Sequence, residues 1–129
     1  MRPCIGVDNI LVKDVARSLT LFGDRYLARA YTQGEQMAAQ HMAPSGRAAY
    51  FAGRFAAKEA VYKAIRFPRS QTMAWTDIEV RRSSLGWPEV SFHRGVRAWA
   101  NEVGIDLVEV SISHEGPNAI AVALAHRIS

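Results

Sequence analysis

The sequence predicts an α+β domain, a small antiparallel sheet packed on one long helix. Three observations lead there. Residues 47–65 are alanine-rich, with Phe51, Phe55 and Tyr62 at helical spacing. Leu107–Ser113 and Ala119–Ala125 both alternate with the two-residue period of a strand. Cys4–Asp8 reads as a third short strand, with Ile5 and Val7 on one face and Gly6 and Asp8 on the other. A length of 129 residues is one domain (1–129), large enough to bury a core without staples.

The other elements follow in order. Residues 12–31 are helical in pattern and punctuated at Gly23. Thr32 with Glu35 three residues on is a capping box that starts a further helix. Pro44-Ser45-Gly46 reads as a loop, and the helix over 47–65 is closed by the region of Pro68. Trp75–Arg81 and Glu89–Phe92 are strands joined by the turn-rich Ser83-Ser84-Leu85-Gly86-Trp87-Pro88. Residues 94–103 form an amphipathic helix stopped by Gly104. In the last strand Ile120, Val122 and Leu124 alternate with alanines, and a bare face of that kind admits a helix or another subunit.

Composition narrows the function classes. Hydrophobic residues at 49% and charged residues at 22% exclude a disordered tail or a fibrous repeat. The single cysteine, Cys4, makes no intrachain bridge and no zinc site alone, which fits a reducing cytoplasm. Neither a signal peptide nor a membrane span is expected. Sixteen basic against twelve acidic residues leave a net charge of +4, which favours an acidic partner. The basic residues are scattered, so a nucleic-acid-binding domain is a poor reading and no nucleic acid is expected as a partner.

Three features carry chemistry. Glu59 follows Phe55 by four residues and borders the apolar stripe, where a carboxylate loses water. With Lys63 one turn on, it is either an ordinary helix salt bridge or a metal carboxylate beside a phosphate-binding lysine. Asp8 is either a strand-end cap or a second carboxylate beside a glycine that leaves room for a ligand. A strand-end Asp and a helix-borne Glu that converge suit a hard dication such as Mg2+, which takes oxygen ligands and substrate phosphates. His114, sharing parity with Val110 and Ile112 after Ser111-Ile112-Ser113, is either a core-edge histidine or a donor at the strand mouth.

Taken together, these segments resemble the small holo-acyl-carrier-protein synthase type of 4′-phosphopantetheinyl transferase. The resemblance runs in order along nearly the whole chain, from Gly6-Val7-Asp8 through Phe22-Gly23-Asp24-Arg25, Ala28-Arg29, Thr32 and Glu35. It is most specific over Phe51-Ala52-Gly53-Arg54-Phe55-Ala56-Ala57-Lys58-Glu59-Ala60-Val61-Tyr62-Lys63-Ala64, and continues through Ile78-Glu79-Val80, Gly86-Trp87-Pro88 and Ser111-Ile112-Ser113-His114 to Ala119-Ile120-Ala121-Val122. It implies transfer of the phosphopantetheine arm of coenzyme A to a serine of an apo acyl carrier protein, releasing adenosine 3′,5′-bisphosphate. By the same resemblance Asp8 and Glu59 would bind Mg2+ with the coenzyme diphosphate, and Asp8, Glu59 and Lys63 would form the catalytic set. Arg54, Lys58 and Lys63 would hold phosphates, Gly86 and Pro88 would lie along the coenzyme, and Ser113 and His114 would sit near its phosphate end. Glu59, or a water held by the ion, would take the serine proton, with His114 behind them.

The resemblance also implies a homotrimer with each site between subunits, which the alanine face Ala119, Ala121, Ala123 and Ala125 would suit. Lys13, Arg17, Arg25 and Arg29 would receive the acidic carrier protein. Three positions depart from the family pattern. Leu11 stands where many relatives have a glutamate, Asp14 where a basic carrier contact is common, and Trp87 where a Lys or Arg separates the glycine from the proline. The alternative within this reading is a non-catalytic module that binds coenzyme A or a carrier protein.

Overall fold

The computed structural model describes residues 2–128. Strand β1 (Arg2–Leu11) leads into helices α1 (Val12–Phe22) and α2 (Asp24–Ala30). Gly23 breaks the two helices with φ of 51°, a left-handed conformation that a side chain would disfavour. The short α3 (Gln33–Ala38) starts on the Thr32–Glu35 capping box, with both reciprocal bonds formed. The long α4 (Pro44–Ile65) follows, then a 3-10 turn at Trp75–Asp77, β2 (Ile78–Arg82), β3 (Pro88–Phe92), α5 (Arg94–Val103), β4 (Ile105–Glu115) and β5 (Asn118–Arg127).

Two sheets form instead of one. Three strands pair antiparallel in the order β1-β5-β4, and β2 and β3 make a separate hairpin. On the inner face of the larger sheet lie Gly6 and Asp8 of β1, the four alanines of β5, and Val110, Ile112 and His114 of β4. Helix α4 crosses this face, its Ala56, Ala60, Val61 and Ala64 buried against Ala121, Ala123 and Ala125. Small side chains on both partners let the helix backbone approach the sheet closely. Among the described residues no helix is long and apolar enough to cross a membrane.

Several boundaries differ from the sequence reading, each for a local reason. Pro44-Ser45-Gly46 is not a loop but the first turn of α4, where proline's missing N–H is no loss. Trp75–Asp77 is not strand, because the Asp77 carboxylate accepts the Ala74 N–H and Lys58 takes the Trp75 carbonyl, holding the backbone in a turn. The alanine face of β5 does not wait for another subunit; the chain's own α4 covers it. The opposite face is the open one, with Ile5 70% and Val7 55% exposed beside Val122.

Candidate active site

The side chain of Asp8 points to the inner sheet face, where α4 presents Glu59 and Lys63 one turn apart. The room beside Asp8 that Gly6 was expected to leave for a ligand is filled by the α4 backbone at Ala60 and Ala64. That contact brings the two carboxylates together. Lys63 Nζ does not pair with Glu59 as a plain helix salt bridge would; it donates to Asp8 Oδ1 at 2.9 Å and to the Val7 carbonyl at 3.0 Å.

The electrostatics there are unfavourable for two anions. Burial pushes the Glu59 carboxyl up to about 7; the neighbouring Asp8 adds to the rise and Lys63 offsets part of it. With both acids ionised, Asp8 Oδ2 is buried and has no hydrogen-bond partner. A shared proton relieves this pair, and so would a dication. Two oxygen-donor side chains with one vacant carboxylate oxygen fit Mg2+, which needs few protein ligands. Among the described residues no cluster of three or more His, Cys, Asp or Glu could hold a metal, so the rest of any coordination shell would come from water and substrate.

Lys58 is the clear correction. Its side chain is fully buried, and its Nζ meets Glu35 Oε1 at 2.7 Å, the Ile78 carbonyl at 2.6 Å and the Trp75 carbonyl at 3.0 Å. All three ammonium protons are used, so none is left for a phosphate. Burial lowers its pKa and Glu35 opposes the shift. The pair is complete on the other side too: Glu35 accepts the Thr32 N–H at 2.7 Å and the Val80 N–H at 2.7 Å. Lys58 thus ties α4 to α3 and β2.

A cavity of about 370 Å3 gathers Arg54, Gly86, Pro88 and His114, with Tyr50 and Arg82 in its wall. Arg54 lies over the Tyr50 ring at 4.7 Å, and its Nε is buried with no partner. His114 Nε2 lies 3.0 Å from the Ala49 carbonyl. Gly53 makes room for that ring, since a methyl there would lie 3.2 Å from Nε2. The sequence reading missed Arg82. It pairs with Pro88 across the β2–β3 hairpin, so its parity with a candidate already identified was the available signal.

Ser113 does not join His114. Adjacent strand residues face opposite sides, and Ser113 lies exposed on the outer sheet face, paired with Ile120. The Asp8 group and the His114 cavity also lie apart, on edge strands β1 and β4 with β5 between them. On the far side of the molecule Lys13, Arg17, Arg25 and Arg29 are all exposed on α1 and α2. Leu21 and Phe22 are exposed among them, and a small cavity is lined by Ser18, Phe22, Arg25, Tyr26 and Arg29.

These features have close counterparts. The family model of the 4′-phosphopantetheinyl transferase superfamily matches residues 4–122. A holo-[acyl-carrier-protein] synthase of Desulfovibrio desulfuricans is 36% identical over 120 residues, covering 93% of this chain and 94% of the relative. That of Moorella thermoacetica is 40% identical over 119 residues, covering 92% and 90%. The crystal structure of holo-[acyl-carrier-protein] synthase from Neisseria meningitidis superposes with a TM-score of 0.83 at 31% identity, over 95% of this chain and 97% of that one. An ACPS–coenzyme A complex from Chronobacterium ammoniagenes gives 0.84 at 28% identity, over 100% of both chains. The chain therefore belongs to the 4′-phosphopantetheinyl transferase superfamily, and within it to the holo-[acyl-carrier-protein] synthase family.

Proposed function

We propose that the chain, as one domain, transfers the 4′-phosphopantetheine arm of coenzyme A to a serine hydroxyl of an apo acyl carrier protein. The released product is adenosine 3′,5′-bisphosphate. The observation that carries this reading is the convergence of Asp8, Glu59 and Lys63 in a chain of this family. The coenzyme A complex of a structural neighbour supports the choice of donor.

In this mechanism Asp8 and Glu59 would hold Mg2+. When bound, the ion supplies charge neutralisation at the coenzyme diphosphate. The half-exposed Lys63 ammonium reaches the same phosphates, and Arg54 and His114, with Gly86 and Pro88 leaving the wall low, bind and orient the nucleotide portion. Glu59, with a carboxyl poised near neutral pH, accepts the proton as the serine oxygen bonds to phosphorus and the phosphorus–oxygen bond to the bisphosphate breaks.

The Asp8 group and the His114 cavity occupy opposite edges of one sheet, which supports a site completed between subunits of a homotrimer. The exposed Ile5, Val7 and Val122 on the outer sheet face supply an apolar contact surface for it, and Ser113 on that face would then reach a neighbour's site. Lys13, Arg17, Arg25 and Arg29 would receive the carrier protein. A cytoplasmic setting follows from the two substrates.

The test is intact-mass measurement of an apo carrier protein incubated with this protein, coenzyme A and Mg2+. The expected result is a phosphopantetheine mass gain that disappears with EDTA and with Glu59→Ala. Absence of any gain across fatty-acid and polyketide carriers, with coenzyme A still bound, would leave a non-catalytic binding module.

A further inference from the structure

Lys63 holds Asp8 although its own side chain is 53% exposed, while the Asp8 side chain is only 11% exposed. The ammonium also takes the Val7 carbonyl, so the lysine is folded back over the edge of β1 and is not extended into solvent. A half-exposed ion pair of this kind contributes little to stability and opens readily. It nonetheless sets a positive charge against Asp8 Oδ1, one of the oxygens a dication would need.

We infer that Lys63 competes with the divalent cation for Asp8 and yields when the coenzyme diphosphate draws its ammonium away, so that metal and coenzyme binding are coupled through this side chain. The inference rests on the metal reading under Proposed function. With no coenzyme present, Lys63 satisfies half of Asp8 and repels a cation approaching Glu59. An arriving diphosphate offers the ammonium a stronger anionic partner than a single carboxylate. Asp8 is then released to the cation as the anionic ligand arrives to share it. Lys63, one helical turn from Glu59, is long and exposed enough to swing between the two positions without moving α4. The coupling is reciprocal: the cation, by taking Asp8, frees Lys63 for phosphate.

The experiment measures Mn2+ affinity by electron paramagnetic resonance, for the intact protein and for Lys63→Met, each with and without coenzyme A. The coenzyme's own Mn2+ binding is measured alone and subtracted. Lys63→Met is expected to tighten Mn2+ binding in the absence of coenzyme by roughly three- to ten-fold, the scale of one partly screened charge. The enhancement that coenzyme A brings is expected to shrink by at least the same factor. Weaker or unchanged Mn2+ binding in Lys63→Met, or an undiminished enhancement, overturns the inference while leaving the metal site standing. If the intact protein with coenzyme A binds no Mn2+ beyond the coenzyme's own share, the metal reading itself fails. An unchanged melting temperature for Lys63→Met shows that the affinities compare like folds.

Discussion

Gly6 of β1 lies directly against Ala60 of α4. A methyl group built on Gly6 would overlap the Ala60 carbonyl oxygen and sit 2.7 Å from the Ala64 nitrogen. Both obstacles are backbone atoms of one helix, so neither can rotate aside. Asp8 lies two residues along the same strand face, and Glu59 precedes Ala60. The strand-to-helix distance at Gly6 therefore sets the distance between the two carboxylates.

Gly6→Ala should for that reason lose both stability and transfer. Forcing β1 off α4 should cost about 3 kcal/mol or more, at the upper end of overpacking effects. Urea unfolding measures the first loss and the mass-gain assay the second. Full transfer activity in a destabilised Gly6→Ala protein would show that the carboxylate spacing tolerates movement of the strand.

The two lysines of α4 should separate cleanly. Lys58→Met leaves Glu35 buried without its cation and should destabilise the fold by about 3–5 kcal/mol, with refolded protein keeping its coenzyme affinity. Lys63→Ala should shift the melting temperature little and weaken coenzyme A binding about ten-fold, the loss of one charge-assisted contact. Melting curves and calorimetric titration with coenzyme A check both. A Lys58 variant that stays stable while losing coenzyme would restore the phosphate role that the structure denies it.

The case of Lys58 also shows what the sequence can and cannot carry. The capping box at Thr32 and Glu35 is local, four consecutive residues, and was legible. That the same Glu35 is buried against a lysine of α4 depends on how two helices dock, and no spacing records it. The strand parities of β1 and β5 were legible for the same local reason. Which face meets the helix was not evident, because it is the alanines and Gly6 that admit a backbone, and the larger Ile5 and Val7 are left outside. Asp8, Glu59 and Lys63 were found because the motif residues stand out singly. Arg82 was missed because its membership in the cavity arises only from hairpin register.

The raised Glu59 carboxyl links stability to pH. In the folded protein it holds its proton up to about 7, whereas its ordinary value is 4.5. The native state then binds more protons than the unfolded chain between these values. Its contribution to stability is full below about 4.5, falls as pH rises through that window and is lost above about 7. Melting temperature against pH in EDTA should show this decline, reduced in Glu59→Gln, and saturating Mg2+ should stabilise the protein most at the alkaline end. A profile unaffected by Glu59→Gln would place the proton elsewhere.

The open sheet face predicts the assembly. Val7 and Val122 are paired neighbours on adjacent strands and both are exposed, so a charge there would sit in the middle of an intersubunit contact and at no cost to the monomer core. Val122→Asp should convert the oligomer to monomer in light scattering and abolish transfer, while circular dichroism stays unchanged. Retained transfer by a proven monomer would mean that one chain completes the site alone.

The carrier surface is the place where this chain departs from its relatives. Lys13, Arg17, Arg25 and Arg29 are exposed around Leu21 and Phe22, a basic rim about an apolar centre. Asp14 is exposed beside Lys13 and subtracts from that field. Arg25→Glu with Arg29→Glu should raise KM for the carrier protein by roughly ten-fold or more, flatten its salt dependence and leave KM for coenzyme A unchanged. Asp14→Lys should act in the opposite direction on an ordinary acidic fatty-acid carrier, lowering its KM by roughly two- to five-fold at low salt. If the unmodified protein already accepts that carrier at low KM and Asp14→Lys adds nothing, then Asp14 does not set partner choice, and selectivity lies in the apolar centre around Phe22.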